Sequence, residues 1–513
     1  MSTATIEKFV VSPSDYSKQS QFLNYIGGQW VPAKSGQHFN NINPANQADC
    51  IATFPASTEA DINDAVAAAQ KAYVQWRQVP APVRGEMLYK AATLLMSRKE
   101  QLSREMTREM GKVITEARGD VQEAIDMTFY AAGEGRRQFG QTVPSELQNK
   151  VAFSTRVPLG VVGLITPWNF PIAIASWKMM PALICGNTCV LKPSEDTPLL
   201  SHRLVEILEE AGIPKGVVNL VHGTGLEAGA PLVKHPDVKL ISFTGSTETG
   251  RWVNETCAKS LKRVSLELGG KNAVVVMDDA NLDLAVDGIL WGAFGTTGQR
   301  CTATSRVIVH QAAHAQLREK LLVRMTELTL GNGLDNTVKV GPLINEKALE
   351  KVLSYIDIGK SEGADLLVGG TKNTAAGDGW FIDPAIFDNV KPTMRIAKEE
   401  IFGPVTALIP VSSFEEALAV ANSVEYGLSL AIYTMNVNKA LKAVECFDSG
   451  LCYINAPTIG AEVHLPFGGV KNTGNGHRDA GQAGLDVFSE WKSVYIDYSN
   501  TLQRAQIDPV EMA

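Results

Sequence analysis

The chain has 513 residues, with 47 Lys and Arg against 55 Asp and Glu, so its formal net charge is −8. Hydrophobic residues make up 45% and charged residues 20%, which excludes collagen-like, disordered and low-complexity proteins. The length predicts several domains. The acidic balance argues against nucleic acid or an anionic membrane as the main partner, because both select basic surfaces.

No segment of the chain has the pattern of a targeting or membrane-spanning sequence. The N-terminus lacks an apolar core of signal-peptide length, and the most apolar segment, Pro171–Cys185, is short and interrupted by Lys178. We therefore expect a soluble cytoplasmic protein. The seven cysteines argue against a disulfide framework, and the apolar context of Cys185 and Cys189 predicts buried thiols rather than a metal site.

The N-terminal third of the sequence predicts short strands followed by helices. The first 50 residues have the pattern of an irregular arm with short strands. Thr58-Glu-Ala-Asp61 has the spacing of a capping box, and it predicts a helix that carries Ile62 and Val66 on one apolar face. Helical sequence continues to about Gly140.

Residues 161–267 change to short apolar runs separated by helical stretches. Continuous apolar runs are typical of strands that are buried on both faces. The predicted strands are Val161–Thr166, Thr188–Lys192, Val217–Val221, Leu240–Phe243 and Val264–Leu266. Strand and helix alternate at a spacing that requires parallel pairing through right-handed crossovers, which predicts a doubly wound sheet.

A second α/β block follows, and two further strands belong to neither block. The predicted elements of this block are the strand Ala273–Met277, the helix Leu282–Phe294, the strand Arg306–Val309 and a last strand at Leu451–Ile454. The isolated segments Val151–Arg156 and Ser493–Tyr498 alternate and are rich in β-branched and aromatic residues. We expect these two segments to pair with each other or with another subunit.

Cys301 and Glu267 are candidates for covalent chemistry. Cys301 lies in a Gly-flanked loop between a helix and a strand, where a thiol could attack a carbonyl. Glu267 lies between two leucines, and partial desolvation there would raise its pKa toward that of a general base. Taken separately, each residue has a simpler interpretation that is favoured: Cys301 is one thiol among seven in a Gly-rich loop by chance, and Glu267 is a solvated glutamate at the end of a strand. Their positions at the junction of the two blocks favour a shared cleft.

Several turns after the predicted strands carry groups that could bind a substrate or a cofactor. In Thr166–Pro171 two prolines stiffen the turn, so the Asn169 amide could donate to an oxyanion or simply cap backbone groups. The Gly turns in Phe243–Gly250 and Gly223–Gly229 suit a phosphate but depart from the dinucleotide fingerprint. Lys192–Glu195 could bind ribose hydroxyls or form a solvated loop.

These motifs occur together and in order, and as a set they resemble the NAD(P)-dependent aldehyde dehydrogenase superfamily over about residues 22–498. The motifs that carry the resemblance are Thr166–Pro171, Lys192–Glu195, Phe243–Gly250, Glu267–Lys271, Gly298–Thr302, Glu399–Pro404 and Pro466–Gly469. The resemblance implies an aldehyde dehydrogenase-like α/β fold. Its domains would be an NAD-binding domain (1–142 and 161–268), a catalytic domain (269–482) and a β oligomerisation element (143–160 and 483–513).

The resemblance also implies a role for each matching residue. Cys301 would be the nucleophile, Asn169 an oxyanion donor, Glu267 the base that activates water, and Lys192 a further catalytic group. The implied cofactor residues are Thr166, Pro167, Trp168, Lys192, Ser194, Glu195, Gly225, Gly229, Phe243, Gly245, Ser246, Leu268, Glu400 and Phe402. Glu195 would repel a 2′-phosphate, which favours NAD, whereas Ser194 leaves NADP possible. The resemblance implies no metal, and a homodimer or homotetramer.

The substrate pocket is similar to that of the semialdehyde branches of the superfamily. Residues 455–465 lack the aromatic side chains that some relatives use for apolar aldehydes, and Glu109–Glu123 also resembles these branches. We expect a small polar semialdehyde as substrate, contacted by residues from the set Phe170, Trp177, Arg300, Thr302, Glu123 and Glu462. Asp479 stands where many relatives have Glu, so its role is open.

Three alternatives remain at this point. A CoA-acylating dehydrogenase on the same fold is disfavoured by Glu267, since that branch often lacks this base. A structural or binding protein on the fold is disfavoured by the intact set of Cys301, Asn169 and Glu267. A papain-like thiol hydrolase needs a histidine partner, and none of the eight histidines has a recognisable context for that role.

Overall fold

The computed structural model describes residues 21–507. The first 20 residues of the predicted N-terminal arm and the last six residues of the predicted oligomerisation element lie outside the described residues. Within residues 21–507, no helix is long and apolar enough to cross a membrane.

The strands of the described part are numbered in chain order. They are β1 (Asn24–Ile26), β2 (Gln29–Val31), β3 (His38–Ile42), β4 (Cys50–Pro55), β5 (Thr142–Pro144), β6 (Lys150–Pro158), β7 (Val161–Ile165), β8 (Thr188–Lys192), β9 (Val218–Leu220), β10 (Val238–Thr244), β11 (Arg263–Glu267), β12 (Ala273–Val276), β13 (Arg306–His310), β14 (Asp365–Val368), β15 (Ala385–Asp388), β16 (Val405–Val411), β17 (Tyr426–Gly427), β18 (Ser429–Tyr433), β19 (Leu451–Ile454), β20 (Val470–Lys471) and β21 (Ser489–Asp497).

The α-helices are numbered in the same way. They are α1 (Glu59–Trp76), α2 (Ala81–Ser97), α3 (Lys99–Met110), α4 (Ile114–Glu134), α5 (Ala173–Ile184), α6 (Pro198–Ala211), α7 (Ala230–Lys234), α8 (Thr247–Ala258), α9 (Leu282–Phe294), α10 (Gln311–Met325), α11 (Glu346–Ser361), α12 (Arg395–Lys398), α13 (Phe414–Asn422), α14 (Val437–Cys446) and α15 (Gly481–Val487). A π-helical turn covers Gly225–Gly229 and a 3-10 turn covers Gly295–Gly298.

The first sheet has seven strands in the order β11-β10-β7-β8-β9-β1-β2. Strands β7 to β11 pair in parallel, as predicted, and β7 is buried along its whole length. Strands β8 and β9 lie on one side of β7, whereas β10 and β11 lie on its other side. The direction of the strand order therefore reverses between β7 and β10. In open parallel sheets this reversal opens a crevice at the carboxyl ends of the strands, where ligands bind.

The hairpin of β1 and β2 joins the first sheet in a way that the sequence pattern does not predict. Tyr25 of β1 pairs antiparallel with Leu220 of β9, which extends the sheet by two strands. The capping box at Thr58 and Asp61 is present, and Ile62 and Val66 of α1 are fully buried, as predicted.

The second sheet has seven strands in the order β14-β15-β16-β13-β12-β18-β19. All neighbours pair in parallel except β14 with β15. The predicted strands between residues 161 and 309 are all present, with bounds that differ by at most two residues, and α9 has its predicted bounds. The α/β fold class is therefore confirmed.

The two isolated strand segments pair with each other. Strand β21 runs antiparallel to β6 over nine residue pairs, from Ser489 with Pro158 to Asp497 with Lys150, and β5 completes a three-stranded sheet. This pairing confirms one of the two expectations from the sequence. Cys185 and Cys189 are buried thiols, as predicted.

The buried guanidinium of Arg306 links the start of β13 to two neighbouring segments. It donates to the carbonyl oxygens of Lys271 (3.0 Å), Val420 (2.9 Å) and Ala421 (3.0 Å). Because Lys271 precedes β12 and Arg306 begins β13, these bonds fix the amino edge of the second sheet.

We expect Arg306→Met to destabilise the protein strongly. The substitution leaves three buried carbonyl groups without this donor, at roughly 1 kcal/mol or more each. The melting temperature measured by circular dichroism should fall by roughly 5–10 °C. Arg118→Met, at an exposed ion pair with Glu100, is the matched control and should shift it by less than about 2 °C. Equal shifts in the two variants would contradict the assigned role of Arg306.

Candidate active site

The predicted site residues meet where the two large sheets face each other. The carboxyl ends of β7, β10 and β11 lie opposite the amino ends of β12 and β13, and a cavity of about 220 Å³ separates them. The cavity is lined by Pro167, Trp168, Asn169, Ile174, Thr244, Gly245, Ser246, Leu268, Gly269, Cys301, Ala348, Lys351, Glu400, Ile401 and Phe402. Most of these residues belong to motifs that the sequence singles out.

The loop that carries Cys301 is held in a constrained conformation. Before it, Thr296 and Thr297 have φ values of 52° and 57°, in the left-handed region that costs a non-glycine residue of the order of 1 kcal/mol. Asn272 Nδ2 donates to the carbonyls of Cys301 (2.7 Å) and Ala303 (3.0 Å). Since Asn272 lies directly before β12, the second sheet fixes the backbone of the loop.

The Cys301 thiol is surrounded by protein and by acidic groups. Burial, followed by the charges of Glu267 and Glu400, raises the pKa of Cys301 to about 12. Backbone N–H groups of Cys301 and Thr302 act in the opposite direction, because they stabilise the thiolate. Cys301 therefore lies within electrostatic reach of both carboxyl groups and holds its proton in the resting protein.

The side chain of Asn169 is aimed at the same loop. Asn169 is buried, and its Nδ2 donates to the carbonyl of Gln299 at 3.0 Å, two residues before Cys301. An amide nitrogen carries two hydrogens, so one remains for an oxyanion. Gln299 is itself fixed by donation from its Nε2 to Pro342 O (3.3 Å) and by donation from Ile344 N to its Oε1 (2.9 Å).

Glu267 is buried at the end of β11, and neither carboxylate oxygen has a hydrogen-bond partner among the described residues. Burial and the charge of Asp479 raise the pKa of Glu267 well above its usual value, whereas Lys178 and Arg478 lower it. The absence of a side chain at Gly468 leaves room for the carboxylate, because a Cβ there would overlap Oε1 of Glu267. A carboxylate whose pKa is raised in this way is a stronger base than an ordinary one.

Asp479 forms a buried ion pair next to Glu267. Lys178 Nζ donates to Asp479 Oδ2 at 2.8 Å and to Ser242 Oγ at 2.9 Å, and both charged groups are almost inaccessible to water. Asp479 therefore neutralises Lys178 and at the same time repels the carboxylate form of Glu267. The sequence leaves the role of Asp479 open, and the structure assigns it to the electrostatics of Glu267.

Glu400 and Phe402 form the wall of the cavity opposite Trp168. Glu400 Oε1 accepts a hydrogen bond from Gly270 N at 2.9 Å, and a Cβ at Gly269 would overlap this carboxylate. Phe402 has a φ of 61°, and its ring meets that of Trp168 edge to face at 5.4 Å. A non-glycine residue in this conformation is strained, which is common where a side chain is held for a ligand.

Lys192 and Glu195 lie at the carboxyl end of β8. Buried Lys192 donates from Nζ to Gly223 O at 2.8 Å and lies 3.4 Å from Glu195, whose side chain is 43% exposed. A Cβ at Gly229 would lie 3.4 Å from Cδ of Lys192, whereas a Cβ at Gly225 would meet nothing within 4 Å. The exposed carboxylate and the open face at Gly225 fit a ribose and its neighbouring phosphate.

The remaining cofactor candidates line the approach to this site. Ser246 accepts a hydrogen bond from Thr249 N at 3.3 Å and so caps α8, whose first N–H groups suit a phosphate. Gly245 donates to Glu267 O at 3.1 Å, which ties the end of β10 to β11. Phe243 is buried beneath Gly245, since a Cβ at Gly245 would overlap its ring. The hydroxyl of Ser194 accepts a hydrogen bond from Asp196 N at 3.3 Å.

Phe170 and Arg300 lie close together near Cys301. The centroid of the Phe170 ring is 3.8 Å from Lys112 Nζ and 5.3 Å from the guanidinium carbon of Arg300. Arg300 also pairs with Glu116 at 3.2 Å and donates to Thr296 Oγ1 at 2.9 Å. Arg300 is thus fixed beside the nucleophile, with its charge shared by Glu116.

Glu123 lies near this group and is half-buried. Burial and the charge of Asp120 raise the pKa of Glu123 to about 8, although Lys112 and Arg300 oppose the change. Because its pKa is raised, Glu123 can donate a hydrogen bond from its acid form at neutral pH. Buried Trp177 packs edge to face against Phe467 at 5.1 Å.

Glu462 has a different environment from the other substrate candidates. It is exposed and lies 3.3 Å from His464, and no contact joins it to Cys301 or Phe170 among residues 21–507. The loop that carries it is anchored through Thr458, whose hydroxyl donates to Thr302 O at 2.7 Å.

Several residues that shape the site escape the sequence analysis. Gln299, Asn272, Lys112 and Asp120 act through hydrogen bonds to backbone groups far away in the chain, which no local pattern reveals. Lys178 carried a signal, since a lysine that interrupts the apolar segment Pro171–Cys185 needs a buried acidic partner.

Comparison with known proteins agrees with this geometry. The model of the aldehyde dehydrogenase family matches residues 30–494. The chain is 44% identical to the α-ketoglutaric semialdehyde dehydrogenase of Bacillus subtilis, over 94% of this chain and 99% of that protein. It is 41% identical to human retinaldehyde dehydrogenase 3, over 92% of each chain.

A solved structure shows the same architecture. The crystal structure of betaine aldehyde dehydrogenase from Staphylococcus aureus in complex with NAD⁺ superposes with a TM-score of 0.91, at 35% identity. The match covers 95% of this chain and 97% of that one. The predicted fold, enzyme class and nicotinamide dinucleotide cofactor are thereby confirmed, and the chain belongs to the aldehyde dehydrogenase family.

Proposed function

We propose that the protein oxidises a small polar semialdehyde to a carboxylate with NAD, through a covalent intermediate on Cys301. The observation that carries the proposal is that Cys301 and Asn169 line one cavity and that the unpartnered carboxyl of Glu267 lies within electrostatic reach of the Cys301 thiol. A nucleophile, an oxyanion donor and a base are the groups that acyl transfer needs.

Acylation begins with the thiol of Cys301. Its sulfur attacks the aldehyde carbon, a C–S bond forms, and the proton of the thiol leaves to a base or to solvent. The carbonyl oxygen becomes an alkoxide, which accepts hydrogen bonds from Asn169 Nδ2 and from the backbone N–H of Cys301. Because these donors are fixed by Gln299 and Asn272, they need no rearrangement as the charge develops.

NAD, when bound, would supply the acceptor for a hydride. The C–H bond of the former aldehyde carbon breaks, the hydride leaves with both electrons, the C=O bond forms again, and a thioester on Cys301 remains. Glu400 and Phe402 would hold the nicotinamide half of the cofactor, and Lys192, Glu195, Ser246 and Gly225 its adenosine half. An exposed carboxylate at Glu195 binds ribose hydroxyls and repels a 2′-phosphate, so we propose a preference for NAD over NADP.

Deacylation uses Glu267. Its carboxylate accepts a proton from water, the oxygen attacks the thioester carbon, and the C–S bond breaks to release the carboxylate product and the Cys301 thiol. The raised pKa of Glu267 makes it a stronger base than an ordinary carboxylate, at the cost of being protonated over more of the pH range.

The polar side chains near Phe170 support a polar substrate. Arg300 and the acid form of Glu123 place a cationic group and a hydrogen-bond donor near the nucleophile loop. The relative from Bacillus subtilis acts by its name on a semialdehyde, whereas the human relative of similar identity is named for retinaldehyde. Overall identity therefore does not decide the substrate, and the charges around Phe170 carry this part of the proposal.

We propose the three-domain division predicted from the sequence, with the β5-β6-β21 sheet as the oligomerisation element. Trp491, Tyr495 and Ile496 of β21 are each more than half exposed, which leaves an apolar surface for a second subunit. We further propose a homodimer or homotetramer that resides in the cytoplasm. The CoA-acylating and inactive alternatives are disfavoured by the placement of Glu267 beside Cys301.

The two covalent stages predict distinct phenotypes. Cys301→Ala should abolish aldehyde oxidation and leave the NAD dissociation constant unchanged, since the sulfur forms the intermediate. Glu267→Gln should release a burst of NADH near one per active site in stopped-flow absorbance and then turn over at least about 100-fold more slowly. Glu255→Gln, on the exposed face of α8, is the control and should turn over normally. Steady turnover by Glu267→Gln without a burst would exclude Glu267 as the deacylating base.

Asp479→Asn should shift the pH dependence of deacylation. The negative charge of Asp479 raises the pKa of Glu267, and deacylation needs the carboxylate. Removing that charge lowers the pKa, so the rising limb of the single-turnover deacylation rate should move to lower pH. The NAD dissociation constant and the circular dichroism spectrum serve as folding controls. A limb that moves to higher pH would show that Asp479 does not act on Glu267 by repulsion.

Substrate preference tests the role of Arg300. A panel of 2,5-dioxopentanoate, malonate semialdehyde and hexanal should give the highest kcat/KM with a charged semialdehyde. Arg300→Met should lower that value about 10- to 100-fold, as expected for a lost charged hydrogen bond, and change hexanal oxidation by less than about threefold. Arg324→Met, at a surface ion pair, is the matched control. A much higher kcat/KM for hexanal than for either semialdehyde in the unmodified enzyme would refute the polar substrate.

A further inference from the structure

A fully buried ion pair lies directly behind the turn that carries Asn169. Lys112 Nζ and Asp120 Oδ2 are 2.7 Å apart, and neither side chain is accessible to water. Removing two charges from water costs several kcal/mol each, and apolar replacements of a buried pair are often no less stable. Stability alone therefore does not account for this pair, and its other contacts indicate what it does.

Each partner of the pair also binds the backbone next to Asn169. Lys112 Nζ donates to the carbonyl of Asn169 itself at 2.7 Å. Asp120 Oδ1 accepts from Ala173 N, the first residue of α5, at 3.0 Å. The Phe170 ring lies 3.8 Å from the Lys112 ammonium. The pair thus contacts three residues of one short segment, Asn169, Phe170 and Ala173.

The geometry of the Asn169 side chain depends on that segment. Asn169 Nδ2 reaches Gln299 O at 3.0 Å, so the amide meets the nucleophile loop only while its own peptide stays in place. The carbonyl held by Lys112 belongs to the same residue as that amide. A displacement of about 1 Å at a reacting centre costs on the order of 100-fold in rate.

We propose that the Lys112–Asp120 pair is a positioning device that holds the Asn169 amide against the Cys301 loop. The inference rests on the proposed role of Asn169 as oxyanion donor. Both members touch backbone rather than reacting atoms, so they are positioning residues and not catalytic ones. The pair acts through the distance between Asn169 Nδ2 and the sulfur of Cys301.

The first test removes both charges at once. Lys112→Met/Asp120→Leu removes both charges together and leaves no unpaired charge, so the protein should fold and bind NAD with an unchanged dissociation constant. Its kcat/KM for 2,5-dioxopentanoate and for hexanal should fall about 10- to 100-fold. Should this variant not fold, Asp120→Asn, which keeps the shape of the side chain, should show a loss in the same direction. Unchanged kcat/KM in the folded variant would overturn the inference.

The matched control removes another buried pair of the same region. Glu105 and Arg203 join α3 to α6 at 3.1 Å and make no hydrogen bond to the turn that carries Asn169. Glu105→Leu/Arg203→Met should keep kcat/KM within about twofold. An equal loss in the two double variants would mean that any buried pair here affects activity through stability, which would also overturn the inference.

A second readout separates positioning from a general structural role. In an Asn169→Ala background, Lys112→Met/Asp120→Leu should cause no further loss, because the group that it positions is gone. The same fold loss in both backgrounds would overturn the inference. Full activity of Asn169→Ala alone would overturn the proposed role of Asn169, whereas a slow Asn169→Ala with a fast Lys112→Met/Asp120→Leu would overturn only the inference.

Discussion

The proposed chemistry of this protein depends on one thiol and one carboxyl group that are held out of water between two sheets. Burial raises the pKa of both Cys301 and Glu267, and the charge of Glu267 adds to the shift of Cys301. The raised pKa keeps the thiol in its protonated form at rest, and it makes the carboxylate of Glu267 a stronger base than an ordinary carboxylate in water. Placing these groups in water would remove the shift on which deacylation depends.

The surrounding structure compensates for this burial with charges of its own. Lys178 and Asp479 flank Glu267, and Lys112 and Asp120 lie behind Asn169, in both cases as pairs with almost no access to water. Each pair also bonds a further group, Ser242 in one case and the Asn169 carbonyl in the other. The two pairs have the same design, in which an internal charge fixes the geometry or the pKa of a neighbour rather than contacting substrate.

Overall identity to members of the family does not by itself indicate the substrate of this chain. The chain is about equally identical to relatives named for a charged semialdehyde and for retinaldehyde. Arg300, whose guanidinium lies 5.3 Å from the Phe170 ring, is the charged group that we propose bears on this difference. Glu462, another substrate candidate from the sequence, is exposed and lies 3.3 Å from His464.

Much of the architecture follows from the linear sequence, because hydrophobic period and turn chemistry are local. The parallel strands from β7 to β13, the capped helix α1 and the pairing of β6 with β21 are all foreseen from such patterns. The motifs around Asn169, Glu267 and Cys301 also identify the family, since a nucleophile and a base require particular residue types.

Only the tertiary structure decides which distant groups meet. The addition of β1 and β2 to the first sheet, the bond from Asn272 to the Cys301 loop and the pairing of Arg300 with Glu116 join residues far apart in the chain. The raised pKa values of Cys301 and Glu267 are also decided by the tertiary structure, because desolvation depends on everything that surrounds a group. Sequence fixes the chemical identity of each side chain, whereas folding fixes its dielectric surroundings and its neighbours.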